Sequence, residues 1–151
     1  MRGKIEYLLD LAGASGSFRL EDSGFGPEIK EWSSTMPEPT SADLSALDTD
    51  PAYLAWLLRL LKKRKRDAIN AECERRILAR WPEKIQMSIN AGLYPSLVAP
   101  MQADISTIVA ESNAARDVVF ALTDIDLVRS YDPAADPGWA DIGTYQQQEP
   151  V

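Results

Sequence analysis

Between residues 101 and 122 the chain places Met101, Ile105, Ile108, Ser112, Ala115, Val119 and Leu122 at alternating intervals of four and three. That spacing is the rhythm of a helix lying lengthwise along another helix. Ser112 is the polar member of the set, and the small side chains at 112 and 115 permit a close approach. A seam of this kind needs a second helix to cover it.

The preceding stretch supplies one. Asp50-Pro51 is a helix start, because Asp is a preferred N-cap and Pro suits the first helical position. From Tyr53 onward there is no Gly or Pro before Pro82, room for about eight turns at 3.6 residues each. Leu54, Leu58, Leu61, Ala68, Ile69, Cys73 and Ile77 lie near one stripe, interrupted by Lys65. Trp81-Pro82 should stop or kink this helix. A shorter helix in "PEKIQMSINAG" then ends at Gly92, a natural C-cap residue. Short connections favour antiparallel neighbours, so the two long helices are expected to pack together. Thr123 with Asp126 suggests a cap for a last short helix, "DLVRSY".

The N-terminal third differs in character. "KIEYLLDL" suits a short helix or a strand, and "AGASGS" breaks it. "FRLED-SGFG-PEIKEW" reads as a β-hairpin around a Gly-rich turn. Phe18 and Leu20 keep the two-residue alternation, whereas Ile29 and Trp32 fall on opposite parities. Pro37 and Pro39 hold the next segment extended. Thr40 with Asp43 resembles a capping box opening "SADLSALD". At the other end, "DPAADPGWADIGTYQQQEPV" has no periodicity that could pack by itself. The expected fold is mainly α, an antiparallel helical hairpin or small bundle preceded by a short β-hairpin and followed by an extended tail. The expected divisions are 1–49, 50–131 and 132–151.

Composition narrows the chemistry. The chain has 151 residues, one cysteine and no histidine. One cysteine excludes an intrachain disulfide. Without histidine, Ser-His-Asp and Cys-His catalysis and Cys₂His₂ zinc sites are ruled out. Glu6 and Asp10 break the N-terminal apolar run, which argues against a secretory signal. No apolar run approaches the roughly 18–20 residues that cross a bilayer. "DPAADPG" lacks the residue order of a calcium loop, and "SGFG" and "GASG" lack the context of phosphate loops. No nucleophile, base and oxyanion donors can be assembled, so neither cofactor, metal nor enzymatic activity is expected.

Net charge is −7, yet it is distributed in blocks. Residues 1–50 carry about −6, residues 51–100 about +6 and residues 101–151 about −7. The positive block centres on Lys62, Lys63, Arg64, Lys65 and Arg66. Three readings of this run stay open. It could be a solvated helix face, with Glu72 reaching Arg75 and Arg76 at helical spacing. It could be a docking surface for an acidic partner, including the chain's own acidic segments. It could be a nucleic-acid patch, against which stands the lack of interleaved aromatics for base stacking. Cys73 and most of the tryptophans read as core residues. Trp139, in a tail that cannot pack alone, reads as an anchor onto something else.

Several short motifs occur in a telling order. "FRLEDSGFGPEIKEWSSTMPEPTSADL" joins an acidic Gly-containing turn, an Ile-x-x-Trp run and a Pro-x-Pro-Thr-x-x-x-Leu helix start. Later come Arg75-Arg76-Ile77, Pro82 with Gln86, and Ser112-Asn113. In this order, over roughly residues 18–120, the chain resembles small tail-region proteins of tailed bacteriophages. The family's Gln-x-Asn is "QMS" here, with Asn90 displaced. The resemblance implies a non-enzymatic protein that binds the tail fibre or baseplate, as a virion component or as a fibre assembly chaperone. It would reside in the virion tail, or in the host cytoplasm during assembly. On this reading Ile29, Trp32, the run 62–66 and Trp139 are the candidate partner interface, and a homo-oligomer is a further option. The alternative is a small helical nucleic-acid-binding or regulatory protein using residues 62–66.

Overall fold

A computed structural model of the chain describes residues 1–22 and 27–139. In order they form α1 (Arg2–Leu11), β1 (Gly16–Asp22), β2 (Pro27–Ser34), α2 (Ser41–Ala46), α3 (Pro51–Arg80), α4 (Glu83–Asn90), α5 (Val98–Ala121) and α6 (Ile125–Ser130). The fold is mainly α with an N-terminal antiparallel β-hairpin. It divides into two compact units, Met1–Leu60 and Leu61–Val151, so the boundary falls inside α3 rather than at its start. The reason lies in the first turns of α3, where Tyr53, Leu54, Trp56 and Leu57 pack with Tyr7 and Leu47.

In the first unit, "KIEYLLDL" is helical. Ile5 and Leu9, one turn apart, are buried with Leu44, and Phe18, Leu20, Ile29 and Trp32 of the hairpin pack against them. The next stripe of α1 places Tyr7 between Tyr53 and Trp56, with ring centroids 5.3 and 5.4 Å away. The Trp56 indole donates to Asp10 at 3.1 Å. Thr40 and Asp43 complete the capping box of α2, and Leu44 beneath it is buried.

The parity conflict between Ile29 and Trp32 has a structural answer. Phe18 pairs with Trp32 and Arg19 with Glu31, but Leu20 pairs with Ile29. Lys30 is therefore the extra residue of a β-bulge. A bulge moves the remainder of a strand by one position, which exchanges its two faces. Ile29 and Trp32 thus reach the same apolar cluster despite their spacing. Gly16 opens β1 where a side chain has no room, since a Cβ there would lie 2.5 Å from the Ser33 carbonyl. The Gly-rich turn at 23–26 lies outside the described residues.

In the second unit, α3 from Leu61 onward and α5 run antiparallel. Arg80 Nε donates to Asp104 at 2.8 Å at one end, and Lys62 Nζ donates to the Phe120 carbonyl at 2.7 Å at the other. The seam of α5 is covered as its rhythm predicts. Met101, Ile108, Ser112, Ala115 and Val119 are buried, with Ile105 and Leu122 half-buried. Ser112, fully enclosed, accepts a hydrogen bond from Arg116 at 3.2 Å. Trp81, Ile89 and Met101 form the core of the elbow between α3, α4 and α5, with Ile85, Leu97, Val98 and Ile105 around it. Gly92 adopts φ 80° beyond α4, and Leu93 N–H closes back on the Ser88 carbonyl at 3.1 Å, which ends that helix.

The inward face of α3 overlaps the expected stripe at the buried Ile69, with Leu54, Leu58 and Leu61 half-buried, but it does not coincide with it. Ala68 is exposed, and Cys73 and Ile77 are half-buried. Ile69 and Glu72 are buried and Lys62, Lys65, Arg76 and Arg80 are half-buried, the six following one another at intervals of three or four. Lys65 therefore belongs to the inward face instead of interrupting it. Long cationic side chains can bury their methylene stems and still deliver the charged head to a polar partner. The last short helix also starts differently. Asp124, not Thr123, is the N-cap of α6, and its carboxylate accepts from the backbone N–H groups of Asp126 and Leu127.

Candidate interaction surface

The five consecutive cations do not share one face. Lys62 reaches the Phe120 carbonyl near the end of α5, and Lys65 donates to the carbonyl of Tyr131, the C-cap residue of α6. Both heads therefore sit at helix C-termini, where unpaired carbonyls and the helix dipole favour a cation. Lys63, Arg64 and Arg66 are exposed. The reading of all five as a single outward patch is corrected accordingly. A helix turns about 100° per residue, so any run of five must divide its side chains between buried and solvent sides.

Glu72 organises the next turns. It is buried, and it accepts from Arg75 Nε at 2.7 Å, Arg75 Nη2 at 2.6 Å and Arg76 Nε at 2.7 Å. The Arg75 hydrogen bonds hold its carboxyl below the usual carboxylate range, and Arg76 acts the same way, against the opposing effect of burial. The guanidinium of Arg76, so anchored, lies 4.8 Å over the ring of Trp139. The Trp139 indole donates to the Pro133 carbonyl at 2.7 Å.

Trp139 is thus an anchor, but onto its own chain: the residue is 8% exposed and one ring face is occupied by Arg76. As a partner-facing residue it is corrected. The stretch before it is held by local devices. Asp132 caps the 3₁₀ turn at Pro133–Ala135, and the Tyr131 hydroxyl donates to the Asp136 carboxylate. Burial, then that carboxylate, push the Tyr131 phenol well up. Residues 140–151 of the expected extended tail lie outside the described residues.

Ile29 and Trp32 likewise face inward. Both are half-buried against the α1 core, and the Trp32 indole donates to the Met36 carbonyl at 2.8 Å. The solvent side of the hairpin instead carries Arg19, Glu21, Glu28, Lys30 and Glu31, joined by exposed ion pairs.

Among the accessible surfaces of the second unit, besides the exposed Val109, Val118 and Phe120 of α5 and Leu127 of α6, is a flank of α3 beside α4. A groove of about 360 Å³ is lined there by Asn70, Cys73, Glu74, Ile77, Leu78 and Gln86. Gln86 is fixed at its edge by donating to the Trp81 carbonyl at 2.6 Å, and Trp81 in turn donates to Asp104 at 3.1 Å. Sequence reasoning missed this groove because it assigned Cys73 to the core. The signal was present in the spacing of Asn70, Cys73 and Ile77, which share a helix face. Exposed apolar side chains continue nearby in sequence at Met87, Leu93 and Tyr94.

Among the described residues no group of three or more His, Cys, Asp or Glu side chains could hold a metal ion. No described helix is long and apolar enough to cross a membrane. Comparison with protein-family models, curated proteins and solved structures yields no match.

Proposed function

We propose that this chain is a non-enzymatic bacteriophage tail protein that binds the tail fibre or baseplate, as an adaptor in the virion or as a fibre assembly chaperone. The observation that carries the reading is the order of its motifs along residues 18–120. Its support is that each motif occupies a junction of the fold. Ile29 and Trp32 clamp the hairpin onto α1, while Thr40 caps α2 and sets Leu44 in the core. Arg76 reaches the Trp139 ring, Gln86 braces the elbow at Trp81, and Ser112 is buried in the seam. Residues spent on internal junctions leave a scaffold whose accessible features include charged flanks, exposed apolar side chains such as Leu78 and Met87, and the groove beside α4. Such a surface suits protein contacts.

The test is co-expression with the fibre and baseplate proteins encoded beside it, followed by size-exclusion chromatography and mass spectrometry of mature particles. Co-elution with presence in the particle identifies an adaptor, and co-elution with absence identifies a chaperone. Failure to associate with any tail protein refutes the proposal.

A further inference from the structure

We propose that the flank of α3 from Lys63 and Arg66 to Cys73, Ile77 and Leu78, closed by Gln86 of α4, docks an amphipathic helix of a partner protein. That helix would carry large apolar side chains at one end of its contact face and carboxylates at the other. The inference rests on the interaction role proposed above and names the surface and the chemistry of the occupant.

Three observations converge on it. Lys63, Arg66, Asn70, Cys73 and Ile77 follow one another at intervals of three and four, so they form one stripe roughly 20 Å long at 1.5 Å per residue. The stripe changes chemistry along its length. Its first half is cationic and exposed; its second half opens into the 360 Å³ groove, whose walls include Cys73, Ile77 and the half-exposed Leu78. At about 360 Å³ the groove lies at the small end of the range of binding clefts, about 300–1,000 Å³, with room for a few apolar anchors.

Charge then selects the occupant. Arg66 pairs with the neighbouring Asp67 at 3.4 Å in an exposed contact that water screens, so its charge is available to an incoming carboxylate. Glu74 lies in the groove wall and would repel a continuous polyanion, and no aromatic side chain lines the stripe for base stacking. A partner helix would enter the groove with apolar anchors at three- and four-residue spacing on its own face, and its carboxylates would meet Lys63 and Arg66. The favoured occupant is therefore an acidic-apolar helix and not a nucleic acid.

Cys73, the single cysteine of the chain, sits in the groove and reports on it directly. The full-length chain is titrated with a synthetic helical peptide carrying leucines on one face of its first half and glutamates on the same face of its second. Binding is read by fluorescence anisotropy, and groove occupancy by the rate of Cys73 modification with a disulfide reagent. The expected result is at least a tenfold slowing of modification at saturation. Leu78→Glu should abolish that protection, and Lys63→Glu with Arg66→Glu should weaken binding at least tenfold, each with an unchanged melting temperature. The proposal is overturned if the peptide leaves Cys73 reactivity unaltered, or if a scrambled peptide of equal composition protects as well. It is also overturned if duplex DNA protects equally, or if the chain alone self-associates and shields Cys73 as concentration rises. Because the peptide is independent of any tail protein, protection without fibre association retires the tail assignment and keeps the site. Fibre association without protection retires the site alone.

Discussion

Replacing Glu72 by glutamine probes the pair of arginines that its carboxylate holds. Glu72 is 7% exposed and accepts three short hydrogen bonds from two arginines. Arg75 is 63% exposed at its side chain, so water screens its share and that share is small. Arg76 is only 22% exposed. A hydrogen bond to a charged group in such a setting contributes about 1.5–3 kcal/mol, and glutamine keeps the shape while losing the charge. The expected cost is about 2 kcal/mol in guanidinium unfolding followed by far-ultraviolet circular dichroism at neutral pH. The folded carboxyl titrates below its unfolded value of 4.5. Its contribution is thus fully present above that value and fades as pH falls through the lower, folded one. Wild type and variant should therefore converge in acid. Freed from Glu72, Arg76 should also loosen over Trp139 and change the tryptophan emission. A loss under about 0.5 kcal/mol, typical of surface substitutions, or a gap that does not narrow in acid, refutes the reasoning.

Other perturbations separate buried from exposed positions. Ile108→Ala, in the seam and 1% exposed, should lower unfolding free energy by about 2–5 kcal/mol, whereas the exposed Val109→Ala should stay within about 0.5 kcal/mol. Lys65→Met should cost about 0.3–1 kcal/mol through the lost cation at the α6 C-terminus, and Lys63→Met should cost nothing measurable in the same melts. Asp50→Ala removes the acceptor for the Ala52 and Tyr53 N–H groups and should cost about 1 kcal/mol. Deleting Lys30 removes the bulge yet keeps Ile29 opposite Leu20, so nuclear Overhauser contacts between Phe18 and Trp32 should survive. Deleting both Lys30 and Glu31 should abolish them.

The legible part of this fold was the part encoded locally. The seam from Met101 to Leu122, the start at Asp50-Pro51 and the box at Thr40 and Asp43 each depend on neighbours within one or two turns, and spacing alone exposes them. The bulge at Lys30 was visible only as a conflict, because pairing with β1 decides which residue is left over. The inward face of α3 was misjudged for a physical reason. Counting apolar residues treats a lysine or arginine as wholly outward, while Lys62, Lys65 and Arg76 bury their stems and send their heads to carbonyls, a carboxylate and an indole ring. Asp104 beneath Arg80, and Arg76 over Trp139, join residues far apart in sequence, so no local pattern announces them. Trp139 reads from the sequence as a partner-facing anchor, whereas its ring lies under Arg76 and its indole donates to Pro133 of the same chain. Of the candidate interface, the exposed cations kept their place at the surface, and the groove at Cys73 appeared only once α4 was set beside α3.

The antiparallel pairing of α3 and α5 underlies every assignment of inward and outward residues, and paired spin labels measure it most directly. Labels replace exposed residues in a Cys73→Ser background, with pairs at Lys63 and Ala121, at Ala79 and Ala103, and at Lys63 and Ala103. Helix geometry sets the first two distances at roughly 10–20 Å and the third near 25 Å or more. Narrow distributions with that ordering are predicted. Equal distances for all three pairs, or separations beyond about 35 Å for the first two, would show the helices apart and contradict the account.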